Sequence, residues 1–105
     1  MINTLKNLLG FGPSVDLAEL VKNGATIVDV RTKGEYAGGH VKGSINIPLD
    51  QLKSNLKKFK SKEDVIITCC ASGMRSASAK SVLKSSGYEN VHNGGGWMSL
   101  NNKLR

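Results

Sequence analysis

Two short runs constrain what this chain can fold into more than anything else in it: Ala25-Thr26-Ile27-Val28-Asp29-Val30 and Asp64-Val65-Ile66-Ile67-Thr68-Cys69. Both are rich in β-branched residues, and their apolar character is nearly continuous rather than alternating. A strand of that kind is buried on both faces, which implies a parallel sheet covered by helices on each side. Ligands in such sheets bind outside the carboxyl ends of the strands. Val30-Arg31 and Cys69-Cys70 both lie at such ends, so the residues just after Asp29 are expected to share a cleft with Cys70.

The segments between the two runs carry helical spacing. Leu17, Leu20 and Val21 fall on one face of a helix over Val15 to Lys22, where Asp16 and Glu19 have the spacing of a capping box and Asn23-Gly24 ends the helix. A brief helix is predicted from Thr32 to Ala37, then a glycine-bearing loop Gly38-Gly39-His40-Val41-Lys42-Gly43 and a short strand over Ser44 to Pro48. Leu49, Leu52, Leu56 and Phe59 recur at spacings of three and four, giving one helix or two short helical turns. A helix over Ser76 to Ser86, with Ala79, Val82 and Leu83 inward, stops at Gly87. Asn90-Val91-His92 reads as a last short strand, and Gly94-Gly95-Gly96 leads into a closing helix whose Trp97 covers one end of the core. Strands alternating with helices make an α/β three-layer sandwich with a mostly parallel central sheet.

A chain of 105 residues suits one such unit. No apolar stretch approaches the roughly 18–20 residues of a membrane span, and the first ten residues lack the sustained apolar core and cleavage site of a secretory signal. They read as a loose helical turn opening a cytoplasmic protein. The net charge of +7 raises the question of nucleic acid, but the excess lies in Lys53, Lys57, Lys58, Lys60 and Lys62, and the two Phe and two Tyr form no stacking platform. A solvated lysine face explains it, and the positive field assists encounter with a small anion. The two cysteines are adjacent and distant from His40 and His92, which fits neither a disulfide framework nor a zinc site; no metal or cofactor is expected.

Cys70-Ala71-Ser72-Gly73-Met74-Arg75-Ser76 is the segment that carries chemistry. A strand delivers a cysteine into a turn of small residues whose amides can point at its sulfur, and a helix with an early arginine follows. Backbone amides, a helix N-terminus and a guanidinium all favour negative charge there, and such surroundings lower a cysteine pKa from about 8.5 into the range of roughly 3.5–7.5. The competing reading is a buried apolar filler, the commoner fate of a cysteine closing a strand. Gly73 and Arg75 favour the nucleophile at Cys70. Cys69, one residue earlier, points to the opposite face and is read as filler. Asp29 and Glu35 are assigned a supporting role, pairing with Arg31 or Arg75, because a buried unpaired carboxylate is costly. His40 is read as a loop histidine, since an already ionised thiol needs no general base.

Three segments together resemble the rhodanese family of sulfurtransferases: Asp29-Val30-Arg31 with Glu35, then Tyr36 through Gly38-Gly39-His40-Val41 to Pro48, and Cys70 through Arg75 to Ser76, with a weaker fourth from Val91 to Trp97. The resemblance implies a rhodanese-like domain over 14–105 preceded by an extension over 1–13. It further implies a persulfide carried on Cys70, with the loop Ala71, Ser72, Gly73, Met74, Arg75 and Ser76 cradling the outer sulfur. The expected partners are a small anionic donor such as thiosulfate or a low-molecular persulfide, a thiol or cyanide acceptor, or a protein acceptor of sulfur. Arg75 would either stabilise the departing oxyanion or order the loop.

Two rival functions share these residues. One is a sulfur-delivery module acting on a protein partner. The other is a cysteine-based phosphatase or arsenate reductase; the phosphatases of related fold carry one residue more between Cys and Arg than the four here, Ala71 to Met74, and a smaller loop suits sulfur better than phosphate. The chain also departs from many thiosulfate-using relatives. Ala71, Ser72 and Met74 are neutral where those carry a cationic or bulky loop residue, which predicts thiosulfate to be a weak donor, and an apolar residue expected near Asn93-Gly94 is missing.

Overall fold

The computed structural model describes residues 15–105; the extension over 1–13, its boundary and the expected N-terminal turn lie outside the described residues. Helix α1 (Leu17–Lys22) is opened by Asp16, whose carboxylate accepts the Glu19 amide at 3.1 Å. That is half of the expected capping box. The complete box sits at α2 (Lys33–Ala37): Thr32 Oγ1 accepts the Glu35 amide at 3.2 Å, and Glu35 Oε1 accepts the Thr32 amide at 3.0 Å. The Thr32-x-x-Glu35 spacing is the sequence form of that motif.

Four strands, β1 (Thr26–Asp29), β2 (Ile45–Asn46), β3 (Ile66–Cys70) and β4 (Val91–Gly96), form one sheet in the order β2-β1-β3-β4, and every pairing is parallel. Between β2 and β3 the chain makes a short helix α3 (Leu49–Leu52) continuing into a 3-10 segment over Lys53–Lys58, the two-turn version of the expected helix. Helix α4 (Met74–Ser85) follows β3, starting two residues earlier than its spacing predicts, and α5 (Trp97–Lys103) follows β4.

The sheet is buried on both faces. Val28, Val30, Ile66, Cys70 and Val91 pack with Leu52, Phe59, Ala79 and Leu83 on the α3/α4 side. Ile27, Ile67 and Cys69 pack with Leu100, Leu17, Leu20 and Trp97 on the α1/α5 side. The fold is therefore α/β with helical layers on both faces of a parallel sheet. Adjacent residues on a strand face opposite ways, and Cys69 and Cys70 accordingly belong to different sides of the core. All five lysines of the 53–62 segment are exposed.

β4 is longer than the expected three residues because the glycines join it. Thr68 pairs with Asn93 and Cys70 with Gly96, so β4 takes three steps where β3 takes two and bulges there. At Gly94 an added Cβ would lie 2.8 Å from Ile67 Cγ2 and from the Thr68 carbonyl oxygen. The apolar side chain expected near this point is therefore excluded by the closeness of β3.

Candidate active site

β1 and β3 run in register, Asp29 beside Cys69, so their carboxyl ends open at the same level. Cys70 is the last residue of β3. The chain then turns through Ala71 and Ser72, both exposed, to Gly73, whose φ of +99° is a left-handed conformation that glycine adopts without strain. Gly73 is the N-cap of α4 and has no side chain with which to satisfy the helix's first amides. The Cys70 sulfur takes that place. It accepts the Gly73 amide at 2.9 Å and the Ser76 amide at 3.3 Å, and Ser76 Oγ lies 3.5 Å away.

Burial works against a charge on this sulfur. The Ser76 hydroxyl and the amides of Ser76, Gly73 and Ser72 outweigh it, and the Cys70 thiol is lowered below its ordinary value. Cys69 has the opposite fate: burial, then the nearby Asp29 carboxylate, push it up to about 12. A nucleophile in a turn would be expected to stand open to solvent, and the structure differs in that respect. Cys70 has 0 % of its surface exposed and packs in the core beside Val30 and Ala79, so the sulfur lies under the loop rather than open to solvent. The amides nevertheless face inward onto it, as the small turn residues suggest.

The flanking charges are all paired. Arg75, early in α4, forms a two-pronged bond with Glu35, Nη1 to Oε1 at 2.7 Å and Nη2 to Oε2 at 3.0 Å. The Arg75 guanidinium, with the Thr32 amide, holds the Glu35 carboxyl down at about 2. Arg31 and Asp29 are buried and bonded side by side, Nη2 to Oδ2 at 2.8 Å and Nε to Oδ1 at 3.0 Å. Arg31 also donates to the carbonyls of Glu35 at 3.2 Å and Gly39 at 2.6 Å, and its guanidinium stacks 4.8 Å from the Trp97 ring centroid. Each carboxylate thus has its arginine, and the two pairs tie β1, α2 and the Gly38-Gly39 loop to the cysteine loop. A cleft of about 410 Å³ lined by Val30, Thr32, Pro48, Leu49, Asp50 and Arg75 opens alongside.

His40 bonds the Tyr36 carbonyl through Nδ1 at 2.8 Å and stacks on the Tyr36 ring at 3.7 Å, a local arrangement within its own loop. Met74 points to solvent, 80 % exposed. One site residue was not singled out from the sequence: Asn93, whose Oδ1 accepts the Ser76 hydroxyl at 2.6 Å and the Gly95 amide at 2.9 Å. An Asn before glycines is a turn signal, and it carries no hint of a partner on another helix. Among the described residues no cluster of His, Cys, Asp or Glu could hold a metal ion, and no helix is long and apolar enough to cross a membrane.

This arrangement, a cysteine at the end of a parallel strand capping the next helix through its own sulfur, defines a cysteine-loop site on an α/β domain, and comparison with known proteins specifies the family. The family model described as Rhodanese-like domain matches residues 14–103, and the chain belongs to that family. Thiosulfate sulfurtransferase PspE of Escherichia coli is 39 % identical over 70 residues, covering 66 % of this chain and 67 % of that protein. Uncharacterized protein YqhL of Bacillus subtilis is 33 % identical over 82 residues, covering 77 % of this chain and 64 % of its own. The chain thus spans about two thirds of the length of these curated relatives. Among solved structures, the human single-domain sulfurtransferase TSTD1 superposes with a TM-score of 0.74 at 28 % identity, covering 88 % of this chain and 97 % of that one.

Proposed function

We propose that this chain is a sulfurtransferase that carries sulfane sulfur as a persulfide on Cys70. The observation that carries this reading is the sulfur itself, held by the Gly73 and Ser76 amides at 2.9 and 3.3 Å at the N-terminus of a twelve-residue helix. Those donors favour a thiolate before any donor arrives, and they favour the persulfide anion afterwards.

In the first half-reaction the Cys70 thiolate attacks the outer sulfur of the donor. With thiosulfate, a new S–S bond forms to Cys70, the bond to the sulfonate sulfur breaks, and sulfite leaves with the electron pair. In the second, an acceptor thiolate or cyanide attacks the outer sulfur of the persulfide, and the Cys70 thiolate departs. No external oxidant or cofactor enters either step. Arg75 acts through the loop: both of its terminal nitrogens are engaged by Glu35, so its role is to order the turn. Asp29, Arg31 and Glu35 support that turn from below.

Neutral Ala71, Ser72 and Met74, and an arginine already neutralised by Glu35, leave a doubly charged donor only the amides to bind. The cleft beside Arg75, with Val30, Pro48 and Leu49 in its wall, suits the organic part of a low-molecular persulfide. We therefore favour such a persulfide over thiosulfate as donor, and a thiol, free or on a protein, as acceptor. A reducing compartment such as the cytoplasm, where Cys70 stays free, fits this chemistry.

Incubation with a low-molecular persulfide, followed by intact-mass measurement, is expected to add the mass of one sulfur atom, and Cys70→Ser to abolish the addition. Release of thiocyanate on adding cyanide completes the turnover. Hydrolysis of an aryl phosphate without sulfur loading would overturn the reading in favour of a phosphatase.

A further inference from the structure

Ser76 has a single hydroxyl proton and three acceptors around it: Asn93 Oδ1 at 2.6 Å, the Gly73 carbonyl at 3.0 Å and the Cys70 sulfur at 3.5 Å. Ser76 is fully buried, and its backbone carbonyl accepts the Thr68 hydroxyl at 2.9 Å, which fixes the main chain here while leaving the hydroxyl able to rotate among its acceptors. Nor is Asn93 Oδ1 free to move, since the Gly95 amide in the β4 bulge donates to it at 2.9 Å. The shortest contact of the three is thus to Asn93 and the longest to the sulfur.

We propose that Asn93 is a positioning residue for sulfur transfer: it holds the Ser76 hydroxyl proton away from the resting Cys70 thiol and releases it to the sulfur as negative charge develops there. In the thiol, Cys70 Sγ–H donates to Ser76 Oγ and Ser76 donates to Asn93. In the thiolate, the hydroxyl rotates and donates to sulfur, giving up its bond to Asn93. The proton stays on the serine throughout and no bond other than hydrogen bonds is exchanged. Asn93 therefore competes with the cysteine for one donor, and the competition sets how readily Cys70 ionises and how good a leaving group it is when the persulfide is consumed. The inference deepens the sulfurtransferase reading, but the competition itself exists whatever the thiolate does next.

Other groups facing this sulfur are accounted for. On α4 Arg75 is paired with Glu35, at the end of β1 Asp29 is paired with Arg31, and on β3 Cys69 points to the other side of the sheet. On β4, His92 precedes Asn93 and falls on the alternate face of the strand.

The test is the pH dependence of Cys70 alkylation, read by iodoacetamide rate and by thiolate absorbance, which reports ionisation without requiring any sulfur donor. Asn93→Ala leaves the hydroxyl only the Gly73 carbonyl and the sulfur as acceptors and is expected to move the profile to lower pH, giving about threefold more thiolate at a pH below the midpoint, half a unit of pKa. Asn93→Asp holds the proton more strongly and adds negative charge, and is expected to move it to higher pH. A role confined to packing the bulge would shift both variants the same way. In a Ser76→Ala background, Asn93→Ala is expected to change nothing; a shift that survives there, or two single variants moving together, overturns the proposal. If the profiles move as expected and no persulfide forms, the relay stands and the sulfurtransferase reading falls.

Discussion

Arg75 and Glu35 are forty positions apart and meet in a two-pronged ion pair at 2.7 and 3.0 Å, joining the helix that follows the cysteine loop to the helix that follows β1. Because Glu35 is also the return half of the Thr32 capping box, one carboxylate orders both segments. Its pairing has a pH signature. The folded carboxyl is held at about 2 against an ordinary 4.5, so the pair contributes stability above pH 4.5 and loses it as pH falls toward 2. Thermal melts are expected to show the wild type dropping across that window toward Glu35→Gln, whose curve is flatter. Parallel curves would mean that the pair contributes nothing.

The two adjacent cysteines are expected to react at very different rates. Cys69 is pushed up to about 12 and Cys70 is lowered below its ordinary value. Each unit of pKa is a factor of ten in thiolate at a given pH, so alkylation near pH 8 should favour Cys70 by about a hundredfold or more. Peptide mapping after limiting iodoacetamide measures the ratio. Cys69→Ser should load sulfur as the wild type does; equal loading of both single serine variants would contradict the assignment.

Asp29 and Arg31 form a buried pair, with side chains 0 % and 5 % exposed. Removing one partner strands the other charge in the core, so Asp29→Ala is expected to lower stability by about 3–5 kcal/mol in urea denaturation. Replacing both, as Asp29→Asn with Arg31→Met, should recover a large part of that loss. The residual deficit reports the Arg31 bonds to the Glu35 and Gly39 carbonyls.

Two glycines are expected to respond in opposite directions to the same substitution. Gly94→Ala forces a methyl to 2.8 Å from Ile67 Cγ2 and from the Thr68 carbonyl, and should destabilise the fold by about 1–3 kcal/mol. Gly34 lies in α2, with nothing within 4 Å of an added Cβ. Gly34→Ala should therefore stabilise by roughly 0.4–1 kcal/mol through reduced freedom of the unfolded chain. Chemical denaturation midpoints of the two variants decide both points.

The strands and their covering helices were legible in the residue pattern. Continuous β-branched runs have nowhere to go but between two apolar layers, and the two-residue period of a strand separates Cys69 from Cys70 without reference to any partner. Small turn residues between Cys70 and the following helix likewise announced amides near a sulfur, since backbone dipoles at a helix start are a local property. Capping is less legible: Asp16 and Glu19 have the spacing of the box but form half of it, while Thr32 and Glu35 complete one, because spacing alone does not say which carboxylate reaches back.

Other features depend on contacts that local pattern does not encode. The residue list offered two carboxylates and two arginines near the site, but their pairing follows from the parallel register of β1 and β3, which sets Asp29 beside Cys69 and leaves Glu35 facing α4. The full burial of Cys70 follows from its packing in the core beside Val30 and Ala79, and the reach of Asn93 to Ser76, seventeen positions away, from the pairing of Asn93 with Thr68 across β3 and β4. Local pattern determined the layers and the amide-lined turn after Cys70 because period and turn chemistry act over a few residues. Tertiary structure alone decided which donors and charges converge on that sulfur, because strand register and close backbone approach are set between segments far apart in the chain.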